Sequence, residues 1–420
     1  MRLSSFLPRS VATAALFIAV SSCSENLDSS GVCAVLCPPV GGDVQNITLD
    51  AVELDTTVNS LSGLGNEPSL ILASRGDTLD TRAIIRFDTL PSTFVDATGA
   101  TQPITSVDSA YILLRVDTLS VKGAGPFTIE AYDVDTTAND TTTAAVLALF
   151  RPDRFISSQV LLRTDLKDTT RYYISNAAVL ARIQNGAVRF RVGLRVTSTA
   201  SSQIRLGAAE GGGTPLLFFR ATPDTATKPI QVNPLSKTPT DDPIVASHLT
   251  DYTIVAKEPP PAPPSVLAVG GWPPRRVYLR FDIPAKIMDS STVVRATLLL
   301  NQISNSALDP TDSVFIIPQL VLAGKVVTDP SKAAQIVADI FRDTVKVRPG
   351  NSGPTTVEIA RAFDLWRASK PDTLPRAIIL KSLSEGNLPL EIRFSSMEDA
   401  IALRPRLRIS YTSRVPLGVP

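Results

Sequence analysis

The stretches that decide the fold read Arg82-Ala-Ile-Ile-Arg-Phe-Asp-Thr-Leu-Pro91 and Arg276-Val-Tyr-Leu-Arg-Phe-Asp-Ile-Pro284. In both, polar and apolar residues alternate over a short run of β-branched and aromatic residues, which is typical of a β-strand. Many similar short segments follow along the chain, each bounded by Gly, Pro, Asp or Thr. The sequence therefore predicts an all-β protein.

The likeness of the two stretches extends to a repeat that covers most of the chain. Paired segments occur in the same order in both halves: Ser69–Ala73 with Ser265–Val269, Ile104–Leu114 with Ser291–Leu300, Asn176–Gln184 with Ala360–Ser369, and Pro215–Arg220 with Pro405–Tyr411. An internal repeat of this length indicates two similar folding units, each large enough to bury its own core. We predict two tandem jelly-roll β-sandwich domains, each with one short helix, over residues 48–222 and 244–413. Residues 223–243 are interpreted as a linker and residues 414–420 as a tail.

The N-terminal segment has the features of a secretory signal peptide. Arg2 and Arg9 precede an uncharged apolar run from Val11 to Val20, which is about half of the ~20 residues needed to span a bilayer. Val20-Ser21-Ser22-Cys23 resembles a lipobox, in which the cysteine is acylated before cleavage. We predict removal of residues 1–22, a lipid on Cys23, and a flexible tether over residues 23–47. An ordinary signal peptide that is followed by a cysteine is the alternative.

Two further cysteines follow, Cys33 and Cys37. Outside the cytoplasm nearby thiols tend to oxidise, and a turn that brings their Cα atoms to roughly 6 Å would permit a disulfide. A metal site is disfavoured, because the sequence has three cysteines and a single histidine, His248.

Charge and hydropathy restrict the partners. The chain has 41 basic and 40 acidic residues, so the mature part is close to neutral and has no general electrostatic reason to bind nucleic acid. No apolar stretch beyond the signal is long enough to cross a membrane. The predicted location is the cell envelope, with the lipid as the only membrane anchor and the outer membrane as the expected site, because Ser24 follows the cysteine.

The repeat resembles the DNRLRE-type domain. The resemblance rests on Arg280-Phe281-Asp282, on Trp366 in a helical segment and on the closing strand with Tyr411. It implies jelly rolls similar to carbohydrate-binding module family 96, found on secreted and surface bacterial proteins. The first copy departs from the pattern, since Leu180 or Ala181 takes the place of Trp366 and Phe219 or a neighbour that of Tyr411.

Candidate sugar contacts are Trp272, Tyr172 and Tyr173. Trp272 lies in a turn rich in glycine and proline, where the ring either stacks on a sugar or is buried under its own loop. Tyr172 and Tyr173 are adjacent on a predicted strand, so one of them must point outward.

The carboxylates of Asp133, Asp135 and Asp140 make an acidic loop, which is a weak candidate for structural calcium. Because Asp-Thr pairs recur along the chain, solvated turns are the alternative. No other cofactor is expected.

No local arrangement of residues predicts catalysis. A glycosidase or lyase needs a positioned acid and base, and no such pair or nucleophile motif is evident. Arg86 with Asp88, and Arg280 with Asp282, flank a phenylalanine and are interpreted as structural ion pairs or loop contacts.

The sequence predicts a non-catalytic envelope lipoprotein that binds extracellular polysaccharide. The alternative is a surface spacer or adhesive protein whose domains contact an unidentified protein partner.

Overall fold

The computed structural model describes residues 44–60, 65, 67–76, 78–135, 143–186, 189–221, 228–235, 250–260, 262–305, 308, 312–369 and 373–414. Antiparallel strands dominate these residues and the helices are short. The prediction of an all-β sandwich fold is confirmed.

The elements follow the chain in order. The first fifteen strands are β1 (Gln45–Leu49), β2 (Val52–Asn59), β3 (Ser69–Ser74), β4 (Asp80–Phe87), β5 (Thr93–Val95), β6 (Thr101–Pro103), β7 (Val107–Arg115), β8 (Phe127–Asp133), β9 (Phe155–Leu161), β10 (Thr169–Tyr173), β11 (Phe190–Thr197), β12 (Ser202–Gly207), β13 (Leu216–Ala221), β14 (Ile230–Val232) and β15 (Asp251–Lys257). The other ten are β16 (Val266–Gly270), β17 (Arg275–Phe281), β18 (Ser291–Ile303), β19 (Val314–Val321), β20 (Val337–Ala338), β21 (Val345–Val347), β22 (Gly353–Glu358), β23 (Ala377–Ser382), β24 (Glu391–Ser395) and β25 (Arg406–Ser413). The helices are α1 (Thr143–Leu147), α2 (Asn176–Gln184), α3 (Ala285–Ser290), α4 (Pro330–Ala333) and α5 (Ala360–Ala368). Each half of the chain thus has more than the one helix that the sequence predicted.

Two separate hydrophobic cores organise these strands. The first core lies between the sheet β10-β7-β13-β14 and the sheet β12-β3-β4-β11-β8-β9. The second core is enclosed by β16 to β25 together with β1 and β2. We call β3 to β15 the first unit, and β1, β2 and β16 to β25 the second unit.

The first strands of the two repeats are exchanged between the units. β2 pairs with β17 and β1 with β25, although both precede the first repeat's other strands. Reciprocally, β15 pairs with β4 and β14 with β13, although both precede the second repeat's other strands. We call β1, β2, β14 and β15 the exchanged strands. They extend the sheet structure of the unit that receives them.

Because of this strand pairing, the boundaries of the two units differ from the boundaries of the sequence repeat. The first unit is continuous over residues 69–257, whereas the second unit is interrupted by it. The predicted linker contains β14, and β1 begins inside the predicted tether. The division into two domains stays a prediction, but the sheets do not follow boundaries at residues 48 and 244. The reason is that backbone N–H and C=O groups are the same in both repeats. The sheets of either repeat can therefore form hydrogen bonds with a similar first strand.

Two of the exchanged strands, β2 and β15, contact the unit that receives them through an Asp-x-Thr motif. Asp55 accepts a hydrogen bond from the backbone N–H of Met397 at 2.8 Å, and Asp251 accepts one from Ala209 at 3.0 Å. The two aspartates occupy equivalent register positions, opposite the matched residues Leu279 and Ile85.

The threonines repeat the arrangement two residues later. Thr57 accepts from the N–H of Ala268 at 2.9 Å, and Thr253 accepts from Ile71 at 3.0 Å. Because each acceptor and its donor belong to different repeats, these bonds attach the exchanged strands to the unit that receives them.

Both aspartates are buried, which makes them sensitive to pH. Burial raises the pKa of Asp251 to about 7, against the opposing hydrogen bond from Ala209, and neighbouring Glu210 adds to the rise. Burial also raises the pKa of Asp55 to about 6, reinforced by Glu398 and opposed by the bond from Met397.

We expect the Asp251 carboxyl to reduce stability as the pH rises from about 4 to about 7. The pKa of Asp is about 3.9 in the unfolded chain and about 7 for Asp251 in the folded protein. Between these values the folded state binds more protons than the unfolded state. The free energy of unfolding therefore falls as the pH rises through this window. A shift of this size corresponds to roughly 4 kcal/mol. Urea unfolding of the wild type and of Asp251→Asn at several pH values measures the effect, since the amide keeps an acceptor but cannot ionise.

The Asp251→Asn protein should therefore be more stable than the wild type at about pH 8 and show a flatter pH profile. Asp343→Asn, at an exposed position, is the matched control and should follow the wild type. Parallel pH profiles for wild type and Asp251→Asn would refute the expectation.

Trp272 joins the two units. Its ring is 3% exposed and packs with Ile71, Ala73 and Leu79, which belong to the first unit. The sequence had offered burial under its own loop as one alternative, but the ring is buried in the other repeat. It lies between β16 and β17, in a turn that projects from the second unit.

Arg86, Asp88 and Arg280 make structural contacts with residues that are distant in sequence. Asp88 forms a two-point ion pair with Arg191, at 3.0 and 2.7 Å. Arg86 donates to the Tyr252 hydroxyl at 3.1 Å, and Arg280 pairs with Glu53 at 3.0 Å. Both repeat arginines thus contact the exchanged strand of the other repeat.

Candidate functional site

Three aromatic side chains form a row across neighbouring strands of the first unit. Tyr173 of β10 lies opposite Tyr111 of β7, and Tyr111 lies opposite Phe218 of β13. The row continues to Gln231 of β14, one of the exchanged strands. We call Tyr173, Tyr111, Phe218 and Gln231 the aromatic row.

Strand alternation turns these side chains away from the core. The residues next to them, Tyr172, Ile112 and Leu217, are fully buried in the first core. Because successive side chains point to opposite faces, the aromatic row lies on the outer face of the sheet. Tyr173 is 55% exposed there.

The rings touch one another. Tyr111 and Phe218 are stacked with centroids 5.2 Å apart, and Tyr173 is tilted against Tyr111 at 6.0 Å. The Arg171 guanidinium lies 4.9 Å from the centroid of the Tyr111 ring. The row combines apolar ring surface with two phenolic hydroxyls and a cation, and it can contact a ligand that has both apolar and polar faces.

The neighbouring strand β9 holds the backbone at Tyr173. Gln159 Oε1 accepts from the Tyr173 N–H at 3.1 Å, and the Ser157 hydroxyl donates to the Tyr173 carbonyl at 3.1 Å. These bonds fix the outer end of the row.

The corresponding row of the second unit has no aromatic residue. The same register positions there are Glu358, Thr297, Arg408 and Thr48. The two repeats therefore share a strand arrangement but present different chemistry on this face.

Of the two adjacent tyrosines, only Tyr173 can contact a ligand. Tyr172 is fully buried, and its hydroxyl donates to the Ile129 or Ser157 carbonyl at 3.1 and 3.0 Å. Burial raises its pKa to about 12, although the Ser157 hydroxyl bond lowers it. Tyr172 is thus excluded as a sugar contact, and so is Trp272, because its ring is buried between the units.

The acidic loop is occupied by arginines rather than arranged for calcium. Asp133 forms an ion pair with Arg182, and Asp135 pairs with Arg182 at 3.1 Å and Arg189 at 2.9 Å. Burial raises the pKa of Asp135 although Arg189 opposes the rise. A calcium ion here would meet guanidinium groups, so Asp133 and Asp135 are corrected to members of an internal ion cluster. Asp140 lies outside the described residues.

Within the part of the chain that the structure describes, no group of His, Cys, Asp or Glu side chains is arranged to hold a metal ion. No described helix is long and apolar enough to cross a membrane. Cys23, Cys33, Cys37 and His248 lie outside the described residues, so the lipid anchor and the disulfide stay predictions.

Comparison with known proteins gives no family. No protein-family model matches the chain, and no curated protein matches it in sequence. The resemblance to DNRLRE-type domains therefore stays a prediction.

The structure also bears on two positions of the repeat comparison. The register places Ala221, not Phe219, at the position of Tyr411. In α2 the buried residues are Val179 and Ile183, whereas Leu180 is only partly buried.

Sequence reasoning missed Tyr111 and Phe218. Both stood in segments already interpreted as strands, where alternation places them opposite to buried neighbours. What the sequence lacked was the strand order, which brings residues 111, 173 and 218 into one row.

Proposed function

We propose that the protein binds extracellular polysaccharide through the aromatic row of the first unit. The observation that supports this proposal is the contact of three outward rings across three adjacent strands, with Tyr173 55% exposed. Pyranose rings have apolar C–H faces and polar hydroxyl edges, so a row of rings with phenolic tips suits them. Membership of a carbohydrate-binding module family, implied by the resemblance, points the same way.

The protein is proposed to act without catalysis, as a lipid-anchored component of the cell envelope, and the outer membrane is its proposed location. Binding at one of the two units leaves the other for a different role. The second unit's charged row gives a natural internal comparison, because it has the same strands without the rings.

Tyr173→Ala is expected to weaken polysaccharide binding by roughly tenfold, because the loss of one stacked ring removes on the order of 1–2 kcal/mol. Residues 24–420 would first be screened on a glycan array, and the affinity for the strongest ligand then measured by calorimetry. Tyr111→Ala should have a similar or larger effect, because Tyr111 touches both other rings.

Glu358→Ala, at the matching position of the second unit, is the control and should leave the affinity unchanged. A glycan that binds equally well to Tyr173→Ala and Tyr111→Ala would exclude the aromatic row. If the unaltered protein bound no glycan on a broad array, the result would favour the alternative, a spacer or adhesive protein with a protein partner. The tight joining of the two units by exchanged strands and Trp272 favours that alternative.

A further inference from the structure

A groove lies at the end of α5 in the second unit, far in sequence from the aromatic row. It consists of a cavity of about 550 Å³ and a second of about 600 Å³, which share Trp366, Ser369 and Arg376 as lining residues. We call these two cavities the Trp366 groove.

Trp366 brings an unused hydrogen-bond donor to this groove. Its side chain is 6% exposed and packs against Phe363 and Phe281, at centroid distances of 5.3 and 6.0 Å. Its indole Nε1 has no acceptor among the residues that the structure describes. Buried indole N–H groups usually find a partner, because burial without one costs the full desolvation penalty. The nitrogen is itself covered in this structure, so a ligand oxygen in the groove would accept from it once the lining side chains had shifted.

Guanidinium groups surround the same place. Arg376 donates to the Ile283 carbonyl at 2.8 Å, and Arg367 donates to the carbonyls of Ile287 and Met288, both at 2.8 Å. No carboxylate of the described residues lies within ion-pair distance of Arg376 or Arg367. Both cations are therefore held in position by carbonyls, with their charge uncompensated by direct contact.

Among the residues that the structure describes, the charged lining of the groove is positive overall. It comprises Arg280, Lys325, Arg367, Arg376 and Arg414 against Glu53, Asp289 and Asp364. Glu53 is already paired with Arg280 at 3.0 Å. The balance in a near-neutral chain favours an anionic ligand.

The first unit has internal carboxylates next to an arginine of its helix α2. There, Asp133 and Asp135 supply carboxylates to Arg182 and its neighbours. The strand register of the second unit puts Leu320 at the position of Asp133, and Leu322 follows at that of Asp135. At these two register positions the second unit therefore has no carboxylate.

We infer that the Trp366 groove binds a small organic anion, whose carboxylate or phosphate oxygens accept from the Arg376 guanidinium and the Trp366 indole N–H. Planar guanidinium groups suit such oxygens because two N–H donors can point at one anion. This site lies in the second unit and is separate from the proposed polysaccharide surface.

The test uses the two tryptophans of the chain. A ¹⁵N-labelled protein of residues 24–420 gives two indole N–H signals, which Trp366→Phe assigns. Succinate and inorganic phosphate are titrated separately. The Trp366 signal should move in a saturable way with at least one of them, and the identity of that ion names the anchoring group. The Trp272 signal, buried between the units, should stay in place.

Arg376→Gln should weaken the effective anion by at least about tenfold, because it removes a charge-assisted hydrogen bond. Arg408→Gln, on the exposed sheet face, is the matched control and should bind as the wild type does. The inference is overturned if neither anion moves the Trp366 signal of the unaltered protein at millimolar concentration, or if Arg376→Gln binds normally. The titration of the unaltered protein decides the question even if Arg376→Gln fails to fold.

Discussion

A fragment of residues 65–258 is expected to fold cooperatively, whereas a fragment of residues 48–222 is expected to be largely unfolded. The first fragment contains β3 to β15 and the whole first core. The second follows the sequence repeat, but it lacks β14 and β15 and carries β2 without its partner β17. Circular dichroism and urea unfolding of both fragments measure the difference.

The stability that the 48–222 fragment loses can be estimated from the side chains of β15 that are buried in the first unit. Tyr252 and Ile254 are 8% and 4% exposed, and burial of each large side chain contributes about 1.5–3 kcal/mol. The anchors at Asp251 and Thr253 are lost as well. Since a domain has a total stability of about 5–15 kcal/mol, these losses approach the whole.

The control fragment is residues 48–258, which contains β2 as well as β14 and β15 and should be about as stable as 65–258. If residues 48–222 unfolded with the same midpoint as residues 65–258, each repeat would be able to use its own first strand. The exchange would then be only one of two possible pairings.

Trp272→Ala is expected to lower the free energy of unfolding by about 3–5 kcal/mol, the range for truncation of a buried aromatic ring. The ring is 3% exposed and fills the contact of the second unit with Ile71, Ala73 and Leu79. Its loss leaves a cavity between the units rather than within one core. Urea unfolding followed by circular dichroism should show a lower midpoint, and the two units should begin to unfold separately.

Tyr173→Ala serves as the matched aromatic control, because its ring is 55% exposed and surface substitutions usually change stability by about 0.5 kcal/mol or less. A loss at Trp272 as small as the loss at Tyr173 would show that the contact between the units contributes little.

One residue of the candidate site, Tyr173, could be read from local pattern. The adjacency of Tyr172 and Tyr173 required one to face outward, and Tyr173 does. Phe363 and Trp366, three residues apart on a helical segment, are buried as that spacing predicts. The groove beside Trp366 could not be read in this way, because its lining comes from residues between 53 and 414.

The sequence by itself determined the all-β class and required that Tyr172 and Tyr173 lie on opposite faces of the sheet, because strand alternation is a local property of the chain. Only the tertiary structure decided which sheets β2 and β15 join, since similar edges in both repeats offer the same backbone hydrogen bonds. It also decided the place of Trp272. A ring in a turn rich in glycine and proline can be exposed or buried, and the outcome depends on the neighbouring surface, which here belongs to the other repeat.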